Sequence, residues 1–394
     1  MHQYREITTK SWGQRIAGSF GGAIIGLIFF IASFPLIWWN EGRSVDRIKT
    51  LDEGKSIVVS ISSEYSDKNN NNKLVHIFGT ANSEETLRDN VFGIDSTALK
   101  LRRTVEMYQW KEHKRTQTKT NLGGSETTET IYSYDKTWSE ELISSGNFKM
   151  ASNHINPSSM PYKSKIFVGS HITIGAFKLT DSFVNQIDNF EDLPVLTEHH
   201  ESMNPQLKQH FKPYGSGYFS GNPALPEIGS IRIRYSIAPP VETSVIGKQS
   251  DNSITSYNTK NGTISLLDYG NIDAESMFVS AAKENSITTW LIRIGAFVLM
   301  WIGLMMVLNP IRTIGDVLPI VGSILGAGIG LVTGVIAIVL SFITIAIAWI
   351  FFRPVIGVIL LVTASIFAFG GIKTIRQKLK KKMQGTQLSN ASYK

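Results

Sequence analysis

Residues 16–39, IAGSFGGAIIGLIFFIASFPLIWW, contain no charged side chain over 24 positions. A helix needs roughly 20 apolar residues to cross a bilayer, so the stretch is long enough to span one. The apolar part of a secretory signal is only about 7–15 residues and ends at a small-residue cleavage site, which is not found here. A retained transmembrane helix is therefore expected, with residues 1–15 as a leader before it.

A second apolar region runs from residue 289 to 372, broken only by Arg293, by PIRTIGD at 310–316 and by the pair Arg353 and Pro354. It reads as three further spans. Residues 289–309 form one, with Arg293 near enough to its start to snorkel toward the interface. Residues 355–372 form the last. Between them, 317–352 is too long for one crossing and short for two, which leaves 317–330 tilted, interfacial or re-entrant. Charge sets the orientation. Arg5, Lys10 and Arg15 outnumber Glu6 in the leader, and residues 373–394 carry seven basic residues and no acid. Both ends are thus expected in the cytoplasm, which requires an even number of crossings, namely four.

That tail accounts for the whole net charge of +7. Basic residues packed just past a span, here Arg376, Lys378, Lys380, Lys381 and Lys382, set topology or touch anionic membrane lipid, so nucleic acid is not the expected partner. Two spans also carry glycine at every fourth position: Gly18, Gly22 and Gly26 in the first, and Gly322, Gly326, Gly330 and Gly334 in the third. Such stripes let helices approach closely. They are read as helix-packing surfaces, either within one four-helix bundle or as a self-assembly or pore-lining surface of a homo-oligomer.

Residues 40–288 are polar and long enough for a core of their own. The stretch LKLRRTVEMYQWKE at 99–112 alternates, with Leu99, Leu101, Val105 and Met107 opposed to Arg102, Glu106, Tyr108 and Trp110, which is the period of a strand. Similar signals occur at 56–62, 73–79, 129–138, 230–238 and 263–270, and Asp273 is a plausible cap for a helix leading into the second span. The expected fold is an integral membrane protein of four transmembrane α-helices, one N-terminal and three C-terminal. A large, mainly β, α+β extramembrane domain is inserted between the first and second.

Catalytic and cofactor signals are weak. EGKS at 53–56 lacks the first glycine of a phosphate loop, EHHE at 198–201 lacks metal-ligand spacing, and Ser216 is not in a nucleophile elbow. The chain contains no cysteine, which excludes disulfides and thiolate sites. No enzyme activity, cofactor or metal is expected. A candidate partner face remains, comprising Arg102, Arg103, Glu106, Tyr108, Trp110, Trp138 and His154. His154 lies in SNHINPSSMPY, which reads either as a structural turn or as a functional loop.

Several segments, in order, resemble the transmembrane protein 43 (LUMA) family: WNEGRSVDRIKTLDEGKSIVVS, KLVHIFGT, ALKLRRTVEMYQWKE, YSYDKTWSEELISSGNF, HINPSSM, LPEIGSIRIRYS, AESMFVSAAKENSITTWLIR and WIFFRPVIGVILL. The resemblance implies four crossings around one large domain. It also implies, for animal members, residence in the endoplasmic reticulum and inner nuclear membrane, self-association, and partners such as lamins and emerin. The missing cysteines and the Asn run at 69–72 differ from the animal pattern and suggest a bacterial member, with the domain in the periplasm. The expected function is a membrane-organising scaffold that assembles through its helices and docks other membrane or envelope proteins. The alternatives are a channel or transporter, or a lipid-binding module or enzyme.

Overall fold

The computed structural model describes residues 3–355, and the chain divides into two compact units. The first comprises Met1–Trp12 and Lys49–Glu284, the second Gly13–Ile48 and Asn285–Lys394.

Two sheets dominate the first unit. The larger has eight strands in the order Gln3–Lys10, Glu126–Ser139, Lys100–Thr120, Ile231–Ala238, Gly217–Ser220, Phe211–Tyr214, with Lys165–Val168 and Glu191–Asp192 pairing from the side. Its spine is the 21-residue strand Lys100–Thr120, where the expected alternation holds: Leu101, Val105 and Met107 are buried while Arg102, Glu106, Tyr108 and Trp110 are half-exposed. The buried side packs on Phe92, Phe211, Tyr218, Ile233 and Tyr235, and the ring of Phe92 meets Tyr162 and Phe211 edge-on. The second sheet is centred on Leu74–Asn82 and Val241–Ser250, antiparallel from Val241 opposite Ala81 to Lys248 opposite Leu74. Its core joins Val75, Ile77 and Val245 to Phe177 and Phe183. Only Val59–Ser60 of the strand expected at 56–62 is extended, because the preceding helix continues to Ile57.

The leader forms secondary structure of its own. Gln3–Lys10 is an edge strand antiparallel to the first half of Glu126–Ser139, from Gln3 opposite Ser133 to Lys10 opposite Glu126. Seven of its eight residues are exposed, so side-chain pairs and the backbone ladder, with no buried apolar row, hold it in place. The partner strand turns back from Lys100–Thr120 through Asn121, Leu122, Gly123, Gly124 and Ser125. Gly123 and Gly124 take φ of 82° and 76°, the left-handed region that only glycine enters freely.

Three long helices carry the apolar segments: α1 (Trp12–Ile57), α2 (Ala274–Gly315) and α3 (Pro319–Phe352). All three are candidate membrane spans by length and hydropathy. The expected spans at 16–39 and 289–309 lie within α1 and α2, which continue past them into polar sequence, α2 with Pro310 inside it. The backbone and side chain of Ser276 hydrogen-bond to the Asp273 carboxylate at the start of α2. The segment 317–352 is a single helix from Pro319. In the first unit Leu51, from the end of α1, packs with Ile264, Met277 and Phe278. In the second unit Ile37, Ala296, Met300 and Ala337 are fully buried between the helices. The fourth span expected at 355–372 and the basic residues Arg376, Lys378, Lys380, Lys381 and Lys382 lie outside the described residues.

Because Phe92 is fully buried and touches four aromatic or cationic neighbours, Phe92→Ala is expected to lower the stability of the detergent-solubilised chain by about 3–5 kcal/mol. Urea unfolding followed by near-ultraviolet circular dichroism measures this.

Candidate functional site

Two arrangements concentrate chemistry, one in each unit. The first is the open side of the larger sheet. Register places Glu106 opposite Arg232, Tyr108 opposite Trp138 and Trp110 opposite Lys136. The Glu106 carboxylate accepts two hydrogen bonds from Arg232, at 2.7 and 2.9 Å, and one from Arg234 at 2.9 Å. The Arg232 guanidinium also lies 4.5 Å from the Trp138 ring centre, and Trp138 contacts Tyr108 and Phe219. Arg102 stacks 4.0 Å over Phe190 and donates to Ser236, so it makes no ion pair with Glu106. The face is a continuous ladder of cations on aromatic rings, with one carboxylate at its centre.

His154 closes one end of this face. It is 2% exposed, stacks 3.7 Å from the Tyr134 ring and meets Trp110 edge-on. Two residues on, the Asn156 carboxamide accepts from the Trp110 backbone nitrogen at 2.7 Å and donates to the Trp110 carbonyl at 2.9 Å, acting as a surrogate strand. Burial, then the hydrogen bond to Glu112, push the Tyr134 hydroxyl up to about 12, so it stays a donor at neutral pH.

Arg103 does not belong with the partner face. The strand period turns it to the opposite side, where it is 8% exposed and donates to buried Asp89 at 2.6 Å and to the Lys163 carbonyl. Asp89 also accepts from the Tyr235 hydroxyl at 2.7 Å. A cation on an apolar face needs a buried acid. That requirement was the one signal in the sequence for Asp89, but nothing in the sequence identified which acid.

The second arrangement lies among the helices. Glu41 is fully buried and receives Arg293 through two hydrogen bonds, Nε to Oε1 at 2.7 Å and Nη2 to Oε2 at 2.8 Å, while Trp349 Nε1 donates to Oε2 at 2.7 Å. One carboxylate thus joins α1, α2 and α3. The Arg293 head sits between Glu41 and the rings of Trp290 and Trp349. Two residues further along α1, Arg43 donates to Asn285, Asn40 and Thr289, and Asn285 donates to the Ser44 carbonyl. A second ion pair, Arg15 to Asp316 at 2.5 Å, ties the start of α1 to the end of α2. At 1.5 Å per residue the two clasps are about 39 Å apart along α1 and about 35 Å along α2, against a hydrocarbon thickness of about 30 Å. The spacing is thus on the scale of a bilayer's apolar thickness. The groove between α2 and α3 beside Arg293 is an open hollow of about 490 Å³ lined by Trp290, Phe297, Phe342 and Trp349.

Halfway between the clasps, Gly26 and Gly303 face each other. A Cβ on Gly303 would stand 2.7 Å from the Gly26 carbonyl oxygen and from the Phe30 nitrogen. Gly303, a lone glycine in WIGLMM, gave no periodic signal. The stripe on α3 turns inward, with Gly322 against Asp316, Gly326 against Arg312 and Gly334 against Trp301, whose indole donates to the Gly330 carbonyl at 2.9 Å. Gly18 and Gly22 behave differently: a Cβ there meets nothing within 4 Å among the described residues. No group of three or more metal-capable side chains occurs among those residues either.

The family model described as transmembrane protein 43 matches residues 107–354. Transmembrane protein 43 of Rattus norvegicus is 34% identical over 353 residues, covering 86% of this chain and 87% of that one, and the Homo sapiens protein is 33% identical with the same coverage. The homolog from Drosophila melanogaster is 30% identical and covers 87% of this chain and 92% of its own. No solved structure matches the chain.

Glu41→Ala leaves Arg293 buried without its counter-charge, with an expected cost of about 3–5 kcal/mol, part of which the double variant Glu41→Ala with Arg293→Ala recovers. Thermal unfolding in detergent reads both. In the sheet, burial alone would raise the Glu106 carboxyl, but hydrogen bonds and charge from Arg232 and Arg234 overcome it and hold the carboxyl below its ordinary value of 4.5. A lowered folded-state value makes this stabilisation complete above about pH 4.5 and lost as pH falls through the lowered value. Between about pH 5 and 3 the native chain should therefore lose more stability than Glu106→Gln, as measured by urea midpoints.

Proposed function

This chain belongs to the transmembrane protein 43 family, and from that premise we propose that it is a non-enzymatic membrane scaffold. Its helices assemble with copies of themselves, and its β-rich domain docks other membrane or envelope proteins. In this reading residues 355–372 make a fourth crossing, both termini are cytoplasmic, and the tail carrying Arg376, Lys378, Lys380, Lys381 and Lys382 rests on anionic lipid. The domain then faces the periplasm of a bacterium, or the lumen of the endoplasmic reticulum and nuclear envelope in a eukaryote.

The observation that carries the reading is the closed Glu41, Arg293 and Trp349 clasp. A transport path needs ionisable groups that exchange partners with water or substrate. Here the carboxylate is fully buried with both oxygens committed, a geometry suited to locking three helices rather than to conduction. One small-residue surface of α1, around Gly18 and Gly22, has no neighbour within 4 Å among the described residues, which suits close approach by another helix.

Self-association through that surface is tested with the double variant Gly18→Leu with Gly22→Leu. It is expected to shift the complex extracted into nanodiscs from an oligomer to a monomer by native mass spectrometry while leaving thermal unfolding unchanged. Gly26→Leu, facing Gly303, is expected to lower the unfolding temperature instead. A native chain that is already monomeric removes the self-assembly part of the proposal.

A further inference from the structure

The leader strand raises a conflict that the fold alone does not settle. Gln3–Lys10 pairs with Glu126–Ser139 inside the first unit, yet it directly precedes α1, whose apolar middle is a candidate span, and Glu126–Ser139 follows that span. When α1 crosses a bilayer, residues 3–10 and 126–133 lie on opposite sides of about 30 Å of hydrocarbon, where no open sheet edge survives. Pairing of the leader and crossing by α1 are mutually exclusive. This argument rests on the crossing proposed above. Crossing strips the strand Glu126–Ser139 of its neighbour over eight residues and bares a row of backbone donors and acceptors.

A bared edge of this kind accepts another strand. We propose that the edge formed by residues 126–133 is a docking site for an extended, basic peptide segment of a partner protein on the domain's side of the membrane. The leader shows what the edge selects. Arg5 pairs with Glu129 at 2.8 Å, and Lys10 stands opposite Glu126. Tyr4 lies against Tyr132 with ring centres 6.2 Å apart. Glu6 accepts from the Tyr132 hydroxyl at 3.1 Å and from Lys149 at 2.7 Å. The edge therefore prefers an aromatic residue, then a basic one, then an acidic one, with a second base four positions after the acid. Two edge glutamates with no basic residue between 126 and 133 disfavour pairing of this edge with its own copy.

The chain has no cysteine, so introduced thiols report cleanly. Thr8 and Thr128 are directly opposed in the register. The full-length double variant Thr8→Cys with Thr128→Cys is expected to form an intramolecular disulfide in detergent and none in sealed proteoliposomes, where an impermeant thiol reagent labels the two single variants from opposite sides. A synthetic peptide QYREITTK with cysteine in place of its first threonine-equivalent contact, Thr8, is then expected to cross-link to the Thr128→Cys variant in those vesicles. The same peptide with Arg5→Glu should do so about threefold less or worse, as loss of one exposed ion pair predicts. Same-side labelling with an intramolecular disulfide in vesicles overturns both the vacated edge and the four-crossing reading. Opposite-side labelling without peptide cross-linking, or with equal cross-linking by the reversed peptide, overturns the docking site while the crossing stands.

Discussion

A carboxylate buried among apolar helices is costly until a cation and a donor meet it, and Glu41 meets both at once. Arg293 supplies charge from α2 and Trp349 supplies a hydrogen bond from α3, so three helices share one point. With the second clasp of Arg15 and Asp316, the antiparallel register of α1 and α2 is set at both ends. The close approach of Gly26 and Gly303 follows from that register, because two pinned helices without side chains at their midpoint come together at the backbone. Van der Waals packing then does the rest, since lipid offers no hydrophobic drive for helices to associate.

The sheet uses its charges differently. On its open side Glu106, Arg232 and Arg234 remain partly solvated, and the aromatic rings beneath the guanidinium groups supply apolar area without full desolvation. On its closed side Arg103, Asp89 and Tyr235 are buried, and each polar atom must find a partner. One strand therefore carries a tolerant face and an exacting face. Substitutions on the first are absorbed by neighbouring contacts; on the second they leave an uncompensated charge in the core.

Much of this was legible in the residues, and the gaps have physical causes. Uncharged runs announce membrane helices, and alternation in 99–112 assigned Leu101, Val105, Met107, Arg102 and Glu106 to their sides, because both signals are local. Glu41 was hidden because it stands two positions past the last apolar residue, where a polar residue reads as the end of a span. Its partner lies about 250 residues away. The leader was hidden because a strand exposed on both faces has no hydrophobic period to detect. Arg103 was assigned to the wrong face, grouped with Arg102 and Glu106, and its buried acid Asp89 was found only in the fold. The glycine stripe on α3 revealed a packing surface and not its occupant, which proved to be α2 of the same chain.

The clasp also has a consequence for how the protein is made. Glu41 leaves the ribosome about 250 residues before Arg293, which at roughly 5–20 residues per second is a wait of about 13–50 s. Throughout that interval α1 holds an acid whose counter-ion does not yet exist, while the whole extramembrane domain is synthesised. The first helix must therefore keep Glu41 at the water boundary until α2 arrives. Biogenesis of this chain is accordingly a problem of timing, in which the membrane machinery must shelter an early carboxylate for a late arginine.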